Sequence, residues 1–151
     1  MEYRHTQVGG VVIVTVMIAI ILILFPAWLS GTLQFVQGAV AGVLGAALAL
    51  FCSLTVEVRD LTLVCSFGPG LIKKRILLSD VEEVHIVRNP WYVGWGIRRI
   101  PGQYWLWNVS GFQAVELVCK DGTRFRIGTD EPESLLLAIQ ANRAAGTRPG
   151  A

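Results

Sequence analysis

Hydrophobic and polar positions divide the chain into two unlike parts. Across residues 6–56 there is no Asp, Glu, Lys, Arg or His, and Val, Ile and Leu run almost unbroken through 11–14 and 18–24. A helix crosses a hydrocarbon core of roughly 30 Å with about 20 apolar residues, so this stretch predicts two membrane helices, at about 8–29 and 33–54. Residues 25–32 contain Pro26 and Gly31, which interrupt a helix, and Trp28, which suits the headgroup level. So short a connection makes the two helices antiparallel neighbours. The first, rich in branched aliphatic residues, can face lipid without a partner. The second carries Gly38, Gly42 and Ala46 at four-residue spacing, a stripe on which another helix backbone can approach closely, from within the pair or from a second copy.

From Leu54 the pattern changes to short alternating runs separated by turn residues. Strands are expected near 54–59, 61–67, 71–78, 84–88, 104–109, 114–120 and 123–127, with turns at Arg59-Asp60, Gly68-Pro69-Gly70 and Asp121-Gly122. Face matching sets the last register. A two-residue Asp121-Gly122 turn would put Val115, Leu117 and Cys119 on the side of Arg124 and Arg126. A three-residue loop with Gly122 left-handed instead aligns them with Phe125 and Ile127, and sets Glu116 opposite Arg126 on the solvent face. A helix follows, capped by Asp130 with Pro132 and Glu133 in its first turn, and runs to about 143 or 144. Leu135, Leu136, Ala138 and Ile139 would cover one open side of the sheet, and 146–151 reads as a frayed tail.

Composition fits this division. The chain is 53% hydrophobic with a mean hydropathy of +0.54, yet 16% charged, which requires the charge to be segregated. A cleavable signal peptide is the rival reading of the first segment, but the five residues before it are scarcely basic and its apolar run is too long. Basic residues flank the uncharged block at Arg4 and Arg59, with Lys73, Lys74 and Arg75 beyond, which by the positive-inside rule favours both termini in the cytoplasm and a multi-pass protein of the inner membrane. The organisation expected is 1–53 as a transmembrane pair, 54–145 as a β domain with its helix, and 146–151 as tail. Cys52, Cys65 and Cys119 form no metal-binding array and read as reduced thiols.

Several segments resemble a known family in their order and spacing. Residues 74–84 (KRILLSDVEEV), 94–99 (GWGIRR), 108–111 (NVSG), 114–117 (AVEL), 121–124 (DGTR) and 127–133 (IGTDEPE) resemble bacterial pleckstrin-homology-like membrane proteins over about 54–143, with the helix pair in its usual position ahead. The resemblance implies an α+β membrane protein: a two-helix transmembrane hairpin, then a PH-like antiparallel sandwich or half-barrel of about seven strands, capped by a C-terminal helix. It implies little chemistry, because members of this group mostly lack an assigned activity.

Two clusters are candidate contacts for lipid or partner. Lys73, Lys74 and Arg75 form the one run of like charges, and residues 91–107 hold four of the five tryptophans with Arg98 and Arg99. Trp91 and Trp95 beside Arg98 and Arg99 could rest at a bilayer surface, since indoles favour the interface and arginine snorkels. Alternatively, Trp105 and Trp107 fill the core while Trp91 and Trp95 brace the sheet against the helices. No ionisable group lies at membrane depth for an ion or proton path. A net charge of +2 offers no broad surface to nucleic acid. His5 and His85 stand apart from any nucleophile, so no catalytic, metal or cofactor residue and no small-molecule substrate is expected. The reading is a non-enzymatic membrane-tethered module for protein interaction, scaffolding or self-association, with an anionic-lipid sensor as the alternative and an unrecognised enzyme as the third class.

Overall fold

A computed structural model describes residues 2–32 and 34–146, so most of the predicted tail and the first residue of the predicted second membrane helix lie outside the described residues. The chain begins with β1 (Tyr3–Val8), then α1 (Gly10–Ser30) and α2 (Phe35–Phe51). β2 (Ser53–Arg59), β3 (Thr62–Phe67) and β4 (Ile72–Leu77) join β1 in an antiparallel sheet of order β1-β2-β3-β4. β5 (Val81–Arg88), β6 (Gly96–Ile100), β7 (Tyr104–Asn108), β8 (Gln113–Cys119) and β9 (Arg124–Gly128) form a second sheet of order β5-β8-β9-β7-β6, and α3 (Pro132–Gly146) ends the fold.

The seven expected strands are β2 to β5 and β7 to β9. Two further strands, β1 and β6, make nine among the described residues, in sheets of four and five strands. The sheets are not wholly antiparallel either, because β7 runs parallel to β9, pairing Trp105 with Phe125 and Trp107 with Ile127.

β1 changes the beginning of the protein. Its six residues pair with β2 from Tyr3 opposite Val58 to Val8 opposite Ser53, and Gly9 N–H donates to the Cys52 carbonyl at 2.7 Å. The bases of α1 and α2 are therefore fastened side by side, and the helices contact each other beyond that point. This pairing also shortens α2. The sequence predicted helix to 54, but Ser53 and Leu54 already lie in β2, where alternation and a partner strand outweigh apolar continuity.

At 1.5 Å per residue, the 21 residues of α1 span about 31 Å and the 17 of α2 about 25 Å. α1 is the one described helix long and apolar enough to cross a membrane, and 6% of its most apolar window is buried within the protein. It continues through Pro26 rather than breaking there. Gly31, left-handed at φ 65°, ends it, with Thr32 N–H donating to the Ala27 carbonyl. Gln34 and Gln37 cap α2 reciprocally, each side chain accepting from the other's backbone N–H.

The core lies between the two sheets. Leu54, Val56, Val58, Leu63, Cys65 and Phe67 face Trp107, Val115, Leu117, Phe125 and Ile127, and Leu135 and Ile139 of α3 close one side. Trp107 sits between Phe67 and Phe125, at ring-centroid distances of 5.2 and 5.8 Å. Asp130 does not cap α3 as expected. Its carboxylate meets His5 Nε2 at 2.7 Å, with Glu131 3.7 Å from the other ring nitrogen, which ties β1 to the approach of α3.

The predicted β8–β9 register is present: Glu116 pairs with Arg126, Leu117 with Phe125, and Gly122 is left-handed at φ 82°. The face that carries the Glu116–Arg126 ion pair is not solvated, however. Side-chain exposures are 8% and 16%, the Arg126 guanidinium stacks 3.6 Å from the Tyr104 ring centroid, and it donates to Asn89 Oδ1. Val93, Tyr104 and Leu106 form a small second core on this side.

Two predictions follow from this packing. Glu116→Ala leaves Arg126 buried without a counter-charge and should cost about 3 kcal/mol, whereas Glu57→Ala, which breaks an exposed pair with Arg4, should cost under about 1 kcal/mol; chemical denaturation measures both. Burial, with Glu131 and Asp130 adding to it, raises the Tyr3 phenol from its ordinary 10 to about 12. Protonated Tyr3 is the form the fold favours, so stability should be full below pH 10 and decline between pH 10 and 12, with that decline reduced in Tyr3→Phe.

Candidate functional site

The strand directions give the β body two distinct ends. At the end bearing the helices, Val8 and Ser53 pair, and the β3–β4 turn lies so close to α2 that a Cβ on Gly68 would meet the Ala49 carbonyl at 2.5 Å. The same end carries the loop between β5 and β6. A shallow cleft of about 450 Å³ there is lined by Val12 of α1, Phe51 of α2, and Trp95, Gly96, Arg98 and Val109. The β3–β4 and β5–β6 connections also carry exposed apolar side chains: Leu71 at 76%, Trp91 at 80% and Tyr92 at 70% exposure.

The seven candidate contact residues do not form one surface. Lys73, Trp91, Trp95 and Arg98 lie at the helix-bearing end. Lys74 and Arg75 follow along β4, away from it, and strand rise puts Arg75 roughly 10 Å beyond Ile72. Alternation separates the two arginines of β6 as well. Arg98 donates to the Trp95 carbonyl at 3.5 Å, whereas Arg99 stacks 5.4 Å from the ring of Trp105. Arg88, the last residue of β5, stands beside Trp91 and joins the helix-bearing end. The sequence did not single it out, because its place depends on where β5 stops.

The tryptophans divide in the same way. Trp107 is core, Trp105 is 39% exposed, Trp95 lies against the helix bases, and Trp91 projects into solvent rather than bracing anything. On α2, Gly42 and Ala46 are exposed, whereas Gly38, Ala41, Gly45 and Leu48 are half-buried, and a Cβ added at Gly38, Gly42 or Gly45 would meet nothing within 4 Å.

The other end holds a cleft of about 710 Å³, where the sheets diverge between β4 and the strands β7 and β9. Its walls include Ile76, Ile97, Trp105, Trp107 and Phe125, and Lys74, Asp80, Lys120 and Asp121 line it as well. Two thiols lie nearby on the core faces. Burial pushes the Cys65 thiol far above its ordinary range, and partial burial, then Asp121 and Asp80, raise that of Cys119. Both are poor nucleophiles in consequence. His85 pairs with Glu83 at 2.9 Å on the exposed face of β5, and no group of three or more His, Cys, Asp or Glu suited to a metal occurs among the described residues.

Comparison with known proteins finds no family model, no curated protein and no solved structure that matches the chain. The functional reading therefore rests on the geometry alone.

The contact between Gly68 and α2 is open to test. Gly68 combines φ 49° with carbonyl oxygens of Ala49 and Leu50 at 2.5 and 2.6 Å from an added Cβ, so Gly68→Ala should lower stability by about 2 kcal/mol or more. Gly38→Ala, in open space on a helix, should be neutral or stabilising by up to about 1 kcal/mol. Thermal melts of the two variants in the same detergent measure the contrast.

Proposed function

We propose that this chain is a membrane-tethered, non-catalytic binding module, in which α1 and α2 form a transmembrane hairpin and the β body sits at the cytoplasmic face. The observation that carries the reading is α1. It is 21 mainly apolar residues, of which Ala27 alone is buried within the protein, fixed at its base to the β body. An apolar surface of that size needs cover, and a bilayer supplies it along the whole helix. α2 by itself is short for a crossing. Paired with α1 and joined by the uncharged residues 31–34, it returns the chain to the level at which it entered.

The β body fits such a position. Trp95 lies against the helix bases, with Trp91, Tyr92 and Leu71 exposed on the neighbouring connections, and aromatic side chains with one apolar and one polar edge favour the headgroup zone. Lys73, Arg88 and Arg98 stand among them. At ~1 kcal/mol per cation near an anionic surface, three such residues add a few kcal/mol, enough to orient the body but small beside the burial of α1. The alternative, an anionic-lipid sensor, is supported less well, because Lys74, Arg75 and Arg99 lie away from this end. The likeness to bacterial PH-like membrane proteins belongs to this proposal too. It would describe the stretch from β2 to α3, with β1 and β6 as additions.

Membrane insertion and topology are tested together in the full-length chain. The protein should stay in the membrane pellet after an alkaline carbonate wash. With Cys52, Cys65 and Cys119 replaced by Ala, Thr32→Cys and Ser79→Cys should label with an impermeant maleimide from opposite sides. Labelling of both from one side would reject two crossings, and release by carbonate would reject the tether altogether.

A further inference from the structure

The cleft between the sheets has a feature that the packing of the fold does not require. On β4, Ile72, Lys74 and Ile76 pair with Phe67, Cys65 and Leu63, all three fully buried on the core face of β3. Alternation therefore puts Lys74 on the core face as well, between two isoleucines. Lys74 and Cys119 of β8 both line the cleft. Among the described residues Lys74 makes no ion pair. An inward lysine on an edge strand is a known guard against edge-to-edge pairing. A guard, however, needs no cavity behind it, and here about 710 Å³ stands open, walled by Ile97, Trp105, Trp107 and Phe125.

We propose that this cleft binds an apolar monoanion, a carboxylate or sulfonate on an aromatic or short aliphatic body, with Lys74 as the partner of its charged group. The volume lies within the range of small-molecule sites, and apolar walls with a few placed polar groups are the usual lining of such a site. One inward cation among apolar walls suits one negative charge, since Arg75, next to Lys74 on β4, points to the opposite face. Asp80 and Asp121 line the cleft as well, against Lys120, and disfavour a second negative charge on the ligand. The backbone N–H of Thr123 donates to Asp121 at 2.8 Å and holds that carboxyl below its ordinary range, so it stays ionised and repels a second negative charge on the ligand. The half-exposed indole of Trp105 offers a planar apolar body a surface for stacking, and the mostly buried Trp107 and Phe125 form the apolar wall behind it. The site depends on the β body alone and stands whether or not α1 crosses a bilayer.

The test uses the full-length chain in lipid nanodiscs, with naphthalene-2-carboxylate and its neutral amide as probes. Isothermal titration, with empty nanodiscs subtracted, reads the affinity. Wild type should bind the carboxylate at least tenfold more tightly than the amide. Lys74→Gln should remove that preference by weakening the carboxylate alone, and Ile97→Trp, which fills the cleft, should abolish binding of both. Naphthalene-2,6-dicarboxylate should bind more weakly than the monoanion. No binding above empty nanodiscs, equal affinity of wild type for carboxylate and amide, or an unchanged preference in Lys74→Gln would each overturn the proposal. Should Lys74→Gln fail to fold, the carboxylate–amide comparison on wild type and the Ile97→Trp variant decide the matter by themselves.

Discussion

The six residue pairs between β1 and β2 hold together two regions with opposite solvent requirements. Backbone groups that would otherwise sit unpaired beside an apolar helix bond across the two strands, and the Gly9 N–H to Cys52 carbonyl bond continues the ladder to the start of α1 and the end of α2. Both helix bases are thereby set at one end of the β body. The positions of Trp95 against Val12 and Phe51, and of the Gly68 turn against α2, follow from that junction. So does the division of the surface into a helix-bearing end rich in exposed aromatic residues and a far end that carries the cleft between the sheets.

What was legible in the sequence is what depends on neighbours in the chain. The β8–β9 register could be read because slipping it by one residue would move Val115, Leu117 and Cys119 to the wrong face, and the Asp121-Gly122 turn offers few choices of loop length. The uncharged block could be read because it is long and unbroken. β1 could not, since its partner lies beyond both helices and its six residues, with Arg4, His5, Thr6 and Gln7 among them, look like a polar leader. β6 was equally obscure, with two arginines in five residues and glycines on either side of Trp95. Its strand exists because β7 lies beside it.

The Glu116–Arg126 pair shows where local inference ends. The pairing was legible, but its burial was not. The cover comes from Tyr104 and the β5–β6 loop, which fold over a face that alternation assigns to solvent. The candidate contacts fared similarly. Adjacent residues such as Lys73 and Lys74, or Arg98 and Arg99, were grouped because they are neighbours in sequence. A strand sends neighbours to opposite faces, and in this fold one of each pair serves the helix-bearing end while the other lies along the body.

The order of the elements also has a bearing on synthesis. β1 leaves the ribosome first but has no partner until β2 emerges, after the whole of α1 and α2 has been made. The first sheet therefore cannot close until the apolar segment is complete, and the cost of bringing β1 back to β2 is lowest when the two helices already lie together. Closing β1 onto β2 thus requires α1 and α2 to lie together: a chain whose helices stay apart leaves β1 without its partner strand.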